Sequence, residues 1–146
     1  MTMLRILPIL LFAVALAAPV PTRANPQVAA TVNQLRAANG LTSLAYSRSL
    51  EAVARRHARD MAQNKFFSHR GSDGSNVARR ARAHGYSYCF VAENIAMGQR
   101  SLGEVMQGWW QSRPHRRNMM KPRVREFALA KAPGDIWVMV LADPGC

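Results

Sequence analysis

Three side chains that could share one site stand far apart along the chain: His69, Glu93 and His115. Glu93 lies in the apolar stretch 91–98, which is typical of a short buried strand. A buried, ionised carboxylate is strongly destabilising unless it is paired, so Glu93 needs a partner. Two neutral imidazoles and this carboxylate could hold a divalent ion such as zinc, with an open position for water. The same groups could instead form a polar hydrogen-bonded cluster, and their spacing does not decide between the two.

Neighbouring residues add two enzymatic alternatives. Ser112, His115 and Glu93 supply the residue types of a nucleophile, a base and an orienting acid. No glycine-flanked, strained turn surrounds Ser112, which disfavours a serine hydrolase. In a metal-assisted hydrolase, Glu93 would activate a metal-bound water. His57 lies on the apolar stripe of a helical pattern, so we interpret it as a packed histidine rather than a ligand.

The elements expected to position these residues are helical over most of the chain. Residues that cap helix N-termini stand at Asn25-Pro26, at Ser47 or Ser49, at Ser75 and at Ser101, and predict four helices. The third helix is expected to turn Arg79, Arg80 and Arg82 to solvent. The fourth should stop at Pro114, which leaves His115 in the turn that follows.

Three strands complete the pattern, over residues 91–98, 124–131 and 136–142. The last two are joined by Pro133-Gly134-Asp135, which is typical of a hairpin turn. Apolar residues alternate along them as a half-buried sheet requires: Phe127, Leu129, Trp137, Met139 and Leu141. The predicted class is therefore α+β, with a small, largely antiparallel sheet between helical layers.

Residues 1–24 have the composition of a secretory signal peptide. Arg5 precedes the apolar run 6–18, and small residues follow as far as Ala24. The run is shorter than the about 20 apolar residues that span a bilayer. We therefore expect a signal peptide over 1–24, one domain over 25–146 without a transmembrane segment, and a mature protein that is secreted or periplasmic.

The chain is strongly basic, with 20 Lys and Arg against 8 Asp and Glu, a formal net charge of +12. Removal of Arg5 and Arg23 with the signal peptide leaves 18 basic residues and a net charge of +10. Attraction to an anionic surface is one interpretation, and solvated helix faces with scattered arginines are the favoured one. The export signal argues against nucleic acid as a partner.

Two cysteines, Cys89 and Cys146, remain in the exported domain. An even count in an oxidising compartment predicts one disulfide, and only one pairing is available. On the chain-entropy model a loop of this size is worth roughly 4 kcal/mol. A structural zinc site is disfavoured because neither cysteine has the short Cys-x-x-Cys spacing.

Four groups of residues occur in an order that matches a known family. They are residues 32–36 with Gly40-Leu41, residues 67–69 with Gly74, residues 92–96 with Gly98, and Trp109 through Ser112 and His115 to Asn118. In these motifs the chain resembles the bacterial branch of the CAP superfamily, the cysteine-rich secretory protein, antigen 5 and pathogenesis-related 1 group, also called the SCP domain. The resemblance implies a three-layer α-β-α sandwich whose central cleft holds two histidines and two acidic residues, often with a bound divalent metal.

Matched residue by residue, the two cleft histidines are His69 and His115, and one acid is Glu93. The second acid falls on Ser112, which weakens the charge compensation available to a metal such as zinc, and Asn118 closes the same motif. A second departure is the segment 127–130, where relatives usually carry a glycine-rich strand.

Two functions are therefore considered. The favoured one is a secreted, non-enzymatic, monomeric domain that binds a lipid, an envelope polymer or a protein, with a divalent cation as its one candidate cofactor. The alternative is a metal-dependent hydrolase that acts on cell-envelope or extracellular polymer. Trp110, Met119 and Met120 could form an apolar groove for a lipid or sterol, as in some relatives. Packing of Trp109 against the sheet, with Trp110 at the cleft edge, is the favoured interpretation.

Overall fold

The structure is a computed structural model and describes residues 26–145. The expected signal peptide over 1–24 and the residue Cys146 lie outside the described residues. Within the described range, no helix is both long enough and apolar enough to cross a membrane.

Helices and strands follow one another along the described chain. The helices are α1 (Pro26–Ala37), α2 (Arg48–Asn64), α3 (Val77–Ala83), α4 (Leu102–Gln111) and α5 (Arg113–Met119). The strands are β1 (Ala45–Tyr46), β2 (Tyr88–Met97), β3 (Glu126–Ala132) and β4 (Ile136–Pro144). The predicted α+β class is confirmed.

The four strands form one sheet in the order β1-β3-β4-β2. β4 pairs antiparallel with both β2 and β3, and only the two-residue β1 runs parallel to its neighbour. The sheet is therefore largely antiparallel, as expected. β2 is an edge strand, so one of its two sides has no neighbouring strand. Its two faces lie against helices of the two layers.

Helices cover both faces of the sheet, which confirms the three-layer α-β-α sandwich. Along β4, Val138 and Val140 pack in the same cluster as α2 and α3, while Met139 and Leu141 pack in the cluster of α1, α4 and α5. This alternation places successive side chains on opposite faces. The expectation of a half-buried sheet was wrong for this strand, because both faces are buried.

Small side chains allow α2 to lie close to the sheet. Ala128, Ala130 and Ala132 of β3 are buried and belong to the same cluster as Leu50 and Val53 of α2. Their alternate neighbours on β3 face the other helical layer, where Phe127 is fully buried. The alanines thus face the layer of α2 and α3.

The helix caps explain three differences from the sequence predictions. The N-cap of α3 is Asn76 rather than Ser75. The Asn76 side chain accepts a hydrogen bond from the Arg79 amide at 2.9 Å. Pro114 does not end the helical region, because α5 begins at Arg113 directly after α4 and accommodates proline in its first turn. His115 consequently lies in a helix rather than in a turn.

Candidate functional site

Glu93 is the centre of a buried cluster of charged and polar groups. Its side chain is 2% exposed. Oε1 accepts a hydrogen bond from Nδ1 of His69 at 2.8 Å, and Oε2 accepts one from Nη2 of Arg80 at 2.7 Å. These short, charge-assisted bonds compensate the buried carboxylate. Both oxygens of Glu93 therefore have a protein partner, as the sequence required of a buried acid.

Arg80 connects three parts of the chain to this carboxylate. Its side chain is only 5% exposed. Besides Glu93, it donates to the backbone oxygen of Ser75 at 2.8 Å and to that of His69 at 3.2 Å. The start of α3, the loop that carries His69 and the strand β2 are thus held by one guanidinium. The prediction that Arg80 faces solvent was wrong.

His57 of α2 lies against the same carboxylate. The residue is fully buried, and its Nε2 donates to the Ser68 carbonyl at 2.9 Å and lies 3.8 Å from Oε1 of Glu93. Burial lowers the pKa of His57, an effect that the nearby Glu93 charge opposes in part. The predicted packed histidine is confirmed, but it also forms one wall of the Glu93 cluster.

The residue after Glu93 connects the strand to the opposite helical layer. Asn94 is fully buried, and its Nδ2 donates to the His115 carbonyl at 3.1 Å. Its Oδ1 accepts from Nδ2 of Asn118 at 2.8 Å. These two bonds fix α5 on β2. Because successive residues of a strand point to opposite faces, Glu93 and Asn94 anchor one helical layer each.

His69 and His115 are joined to neighbouring residues of β2, His69 through the Glu93 carboxylate and the His115 carbonyl through the Asn94 side chain. The His69 side chain is 58% exposed, whereas His115 is half-buried beside Trp109, with 6.5 Å between the ring centroids. Burial lowers the pKa of His115, and the charge of His69 lowers it further. The two imidazoles are therefore within electrostatic range of each other.

Ser112 is the N-cap residue of α5, and its side chain makes no capping hydrogen bond. Its backbone amide donates to the Gly108 carbonyl at 3.2 Å. The position at which the family resemblance implies a second acid is thus a helix-cap serine at the junction of α4 and α5. Asn118, at the end of the same motif, positions β2 and α5 rather than presenting a charged group.

The described residues offer an incomplete donor set for a metal ion. Across residues 26–145, no three or more His, Cys, Asp and Glu side chains are grouped so that they could hold one. Glu93 is engaged by His69 and Arg80 through both oxygens. The Nδ1–carboxylate bond does leave Nε2 of His69 for a ligand, an arrangement common among metal-bound histidines. The His69–Glu93 pair thus fits an imidazole ligand oriented by a carboxylate, and the described residues do not supply a three-ligand zinc site.

Trp109 of α4 packs against the sheet, as the favoured interpretation of the two tryptophans expected. This residue is buried, and its Nε1 donates to the Ile95 carbonyl at 3.2 Å. Trp110 is half-buried with the Arg116 guanidinium 5.7 Å above its ring, and it lines an apolar depression of about 340 Å³ with Leu35 and Met106. Met119, proposed for a lipid groove, is instead fully buried in the core.

The predicted disulfide joins Cys89 to Cys146, and Cys146 lies outside the described residues. At the last described residue, the Gly145 amide lies 3.4 Å from the Ser87 carbonyl. The chain therefore leaves the described region beside Cys89, and the disulfide stays a prediction.

Comparison with known proteins identifies relatives over most of the chain. A family model described as "Cysteine-rich secretory protein family" (CAP) matches residues 29–141. The uncharacterized protein YkwD of Bacillus subtilis is 30% identical over 76% of this chain but only 44% of its own length. The uncharacterized membrane protein YlbC of the same organism is 26% identical over 69% of this chain and 29% of its own length. The chain thus spans less than half the length of these curated relatives.

Two solved structures share the fold. An extracellular protein with an SCP domain from Bacillus anthracis has a TM-score of 0.77 and 23% identity, over 80% of this chain and 39% of that one. An outer surface protein from Borrelia burgdorferi has a TM-score of 0.76 and 20% identity, over 82% of this chain and 92% of that one. With the family match over residues 29–141, these findings show that the chain belongs to the cysteine-rich secretory protein (CAP) family.

Proposed function

We propose that this protein is an exported, non-catalytic binding domain whose ligand-contacting groups are the imidazoles of His69 and His115. The observation that carries the proposal is the complete engagement of Glu93, which accepts one hydrogen bond on each carboxylate oxygen. To take a proton from water, Glu93 would have to release Arg80 or His69. The carboxylate therefore serves as an anchor for the cleft.

A divalent cation would be held by His69 and His115 in this arrangement. Glu93 fixes the His69 ring through Nδ1 and so directs Nε2 away from the carboxylate. A bound cation would supply a positive centre for an anionic group of the ligand. With two imidazole ligands from the chain, binding should be weak and exchangeable rather than constitutive.

The ligand class we propose is an anionic polymer of the cell envelope. Three exposed arginines stand beside the two imidazoles in the chain: Arg70 follows His69, and Arg113 and Arg117 lie on the helix of His115. Without the expected signal peptide the chain carries a formal net charge of +10, which attracts polyanions. The structural relatives described as an extracellular protein and an outer surface protein also favour an exported domain.

Cosedimentation with purified peptidoglycan sacculi tests binding and catalysis together. We expect the wild type to sediment and to release no soluble fragments. A variant with both His69→Ala and His115→Ala should sediment at least about fivefold less, whereas His84→Ala, which changes an exposed histidine outside the cleft, should not differ. Circular dichroism confirms that each variant is folded.

Two results would contradict the proposal. Equal sedimentation of the wild type and the double variant would show that the cleft does not bind the polymer. Release of soluble fragments that disappears in Glu93→Gln would establish the metal-dependent hydrolase instead.

The same variants titrated with Zn²⁺ by calorimetry should show uptake that depends on His69 and His115 and not on His84.

A further inference from the structure

Three arginines stand on one face of α5. Arg116 and Arg117 follow Arg113 by three and four residues, a spacing that places the Cβ atom of each about 5–6 Å from that of Arg113. All three line one surface depression of about 300 Å³, which α5 forms with the end of α4 and with Asn39 after α1. We call this depression the arginine pocket. Its volume is at the lower end of the range typical of small-molecule sites.

The arginine pocket lies on the side of α5 that faces away from the sheet. Met119 is fully buried in the core and Asn118 is bonded to Asn94 of β2, so these residues define the inner face of the helix. His115, whose carbonyl accepts from Asn94, is not among the residues that line the pocket. The pocket is therefore a different site from the cleft of His69 and His115.

The positive charge of this pocket is not compensated by the chain. Among the described residues, no acidic side chain lines the pocket and none of its arginines forms an ion pair. Each of the eight acidic residues of the chain has a partner elsewhere. Four are in ion pairs with other side chains: Glu51, Glu93, Asp135 and Asp143. Four accept hydrogen bonds from other groups: Asp60, Asp73, Glu104 and Glu126. Because like charges at this spacing destabilise a helix, an anion from outside the chain would be stabilising here.

Arg116 is held in place before any ligand binds. Its Nη1 donates to the Trp110 carbonyl at 2.6 Å, and its guanidinium carbon lies 5.7 Å from the centre of the Trp110 ring. A guanidinium has five N–H donors, and this bond uses one of them. Arg113 and Arg117 are exposed, and their side chains form no hydrogen bond within residues 26–145. The pocket thus offers one positioned and two exposed guanidinium groups to a ligand.

The number of guanidinium groups separates two classes of anion. A guanidinium binds oxyanions in a bidentate geometry, so one arginine already suffices for the two oxygens of a carboxylate. A phosphate monoester has three terminal oxygens and carries about −1.5 to −2 charges at pH 7. It can therefore accept hydrogen bonds from all three arginines, and it balances more of their charge than a carboxylate does.

We propose that the arginine pocket binds a phosphate group through Arg113, Arg116 and Arg117. The ligand is either free phosphate or the phosphate monoester of a larger molecule, since both present the same oxygens. The proposal goes beyond the cleft of His69 and His115. It uses neither imidazole, so it stands or falls independently of the function proposed for the cleft.

An NMR titration at pH 7 and constant ionic strength tests the pocket with inorganic phosphate, glycerol 3-phosphate and acetate. We expect saturable shifts of the α5 amides and of the Trp110 indole N–H, with half-saturation below about 10 mM for at least one of the two phosphate compounds. Acetate should bind at least about tenfold more weakly. Tighter binding of glycerol 3-phosphate identifies an esterified phosphate as the ligand, and tighter binding of inorganic phosphate identifies the free ion.

Substitutions test whether the three arginines make the contact. Arg116→Gln should weaken phosphate binding about tenfold, and Arg113→Gln and Arg117→Gln about threefold each, because each removes charged donors. The last two change exposed positions, so they test the proposal even if Arg116→Gln does not fold. Arg48→Gln is the matched control: it removes an exposed arginine of α2, in the other helical layer, and should bind as the wild type does.

Three results would overturn the proposal. Neither phosphate compound might give saturable shifts, which would show that the pocket holds no phosphate. Acetate could bind as tightly as both phosphate compounds, which would show a site without preference for phosphate. Arg48→Gln could weaken binding as much as Arg113→Gln and Arg117→Gln do, which would show that the total charge of the protein attracts the anion rather than this pocket.

Discussion

Replacement of Arg80 by methionine tests whether the Glu93 cluster holds the fold together. Methionine fills a similar volume but leaves the buried Glu93 charge without its guanidinium, and it removes the donors to the Ser75 and His69 carbonyls. Loss of one partner of a buried ion pair costs about 3–5 kcal/mol. Small domains unfold with a free energy of about 5–15 kcal/mol, so the variant should lose a large part of its stability.

Urea denaturation at pH 7, followed by circular dichroism, measures this loss. Arg79→Met is the matched control, because Arg79 is the exposed neighbour on the same helix and should change the free energy of unfolding by less than about 0.5 kcal/mol. A double variant, Arg80→Met with Glu93→Leu, removes both charges and should recover the part of the stability that the unpaired Glu93 charge costs, but not the part lost with the two carbonyl bonds. If Arg80→Met costs no more than Arg79→Met, Glu93 does not depend on Arg80 and the anchoring role is refuted.

Two further predictions concern acid stability and the cysteines. Burial lowers the pKa of His57 in the folded protein, so the unfolded chain binds its proton more readily and stability should fall as pH drops below about 6.5. Denaturation midpoints between pH 7 and 5 should show a shallower fall in His57→Gln than in the wild type, and an unchanged fall in the exposed control His84→Gln. Thiol titration of the denatured, unreduced protein should find no free thiol, whereas two titratable thiols would refute the Cys89–Cys146 disulfide.

The cleft residues could be named from the sequence only through the family resemblance. His69 lies in the loop between α2 and α3, Glu93 lies in β2 and His115 lies in α5. No local periodicity in the sequence joins them. Their proximity depends on the position of β2 at the sheet edge, where each helical layer reaches one face. The strand pattern did show that Glu93 needs a partner, because an ionised carboxylate in an apolar strand must be paired.

The partner itself was missed for an identifiable reason. Arg80 was assigned to solvent because of its charge and its place among three arginines. It follows the apolar Val77 by three positions, however, so helical periodicity places Arg80 on the inward face with Val77. Had spacing been given more weight than residue type, Arg80 would have been a candidate counter-ion for Glu93.

Two other misses arise from local rules that tertiary structure overrides. Pro114 was taken as a helix stop, but proline is tolerated in the first turn, and α5 begins one residue before it. Ala128 and Ala130 were given no direction, because small residues carry little hydrophobic signal. They face α2 in the core, so β3 and β4 are buried on both faces rather than on one.

The most direct test of the shared cleft is the pKa of His115, measured by NMR titration of its ring protons in the wild type and in His69→Gln. Burial and the charge of His69 both lower the pKa of His115, so removal of His69 should raise it toward the ordinary histidine value of about 6.5. His84→Gln should leave it unchanged. An identical His115 pKa with and without His69 would show that the two imidazoles do not meet, and would contradict the account.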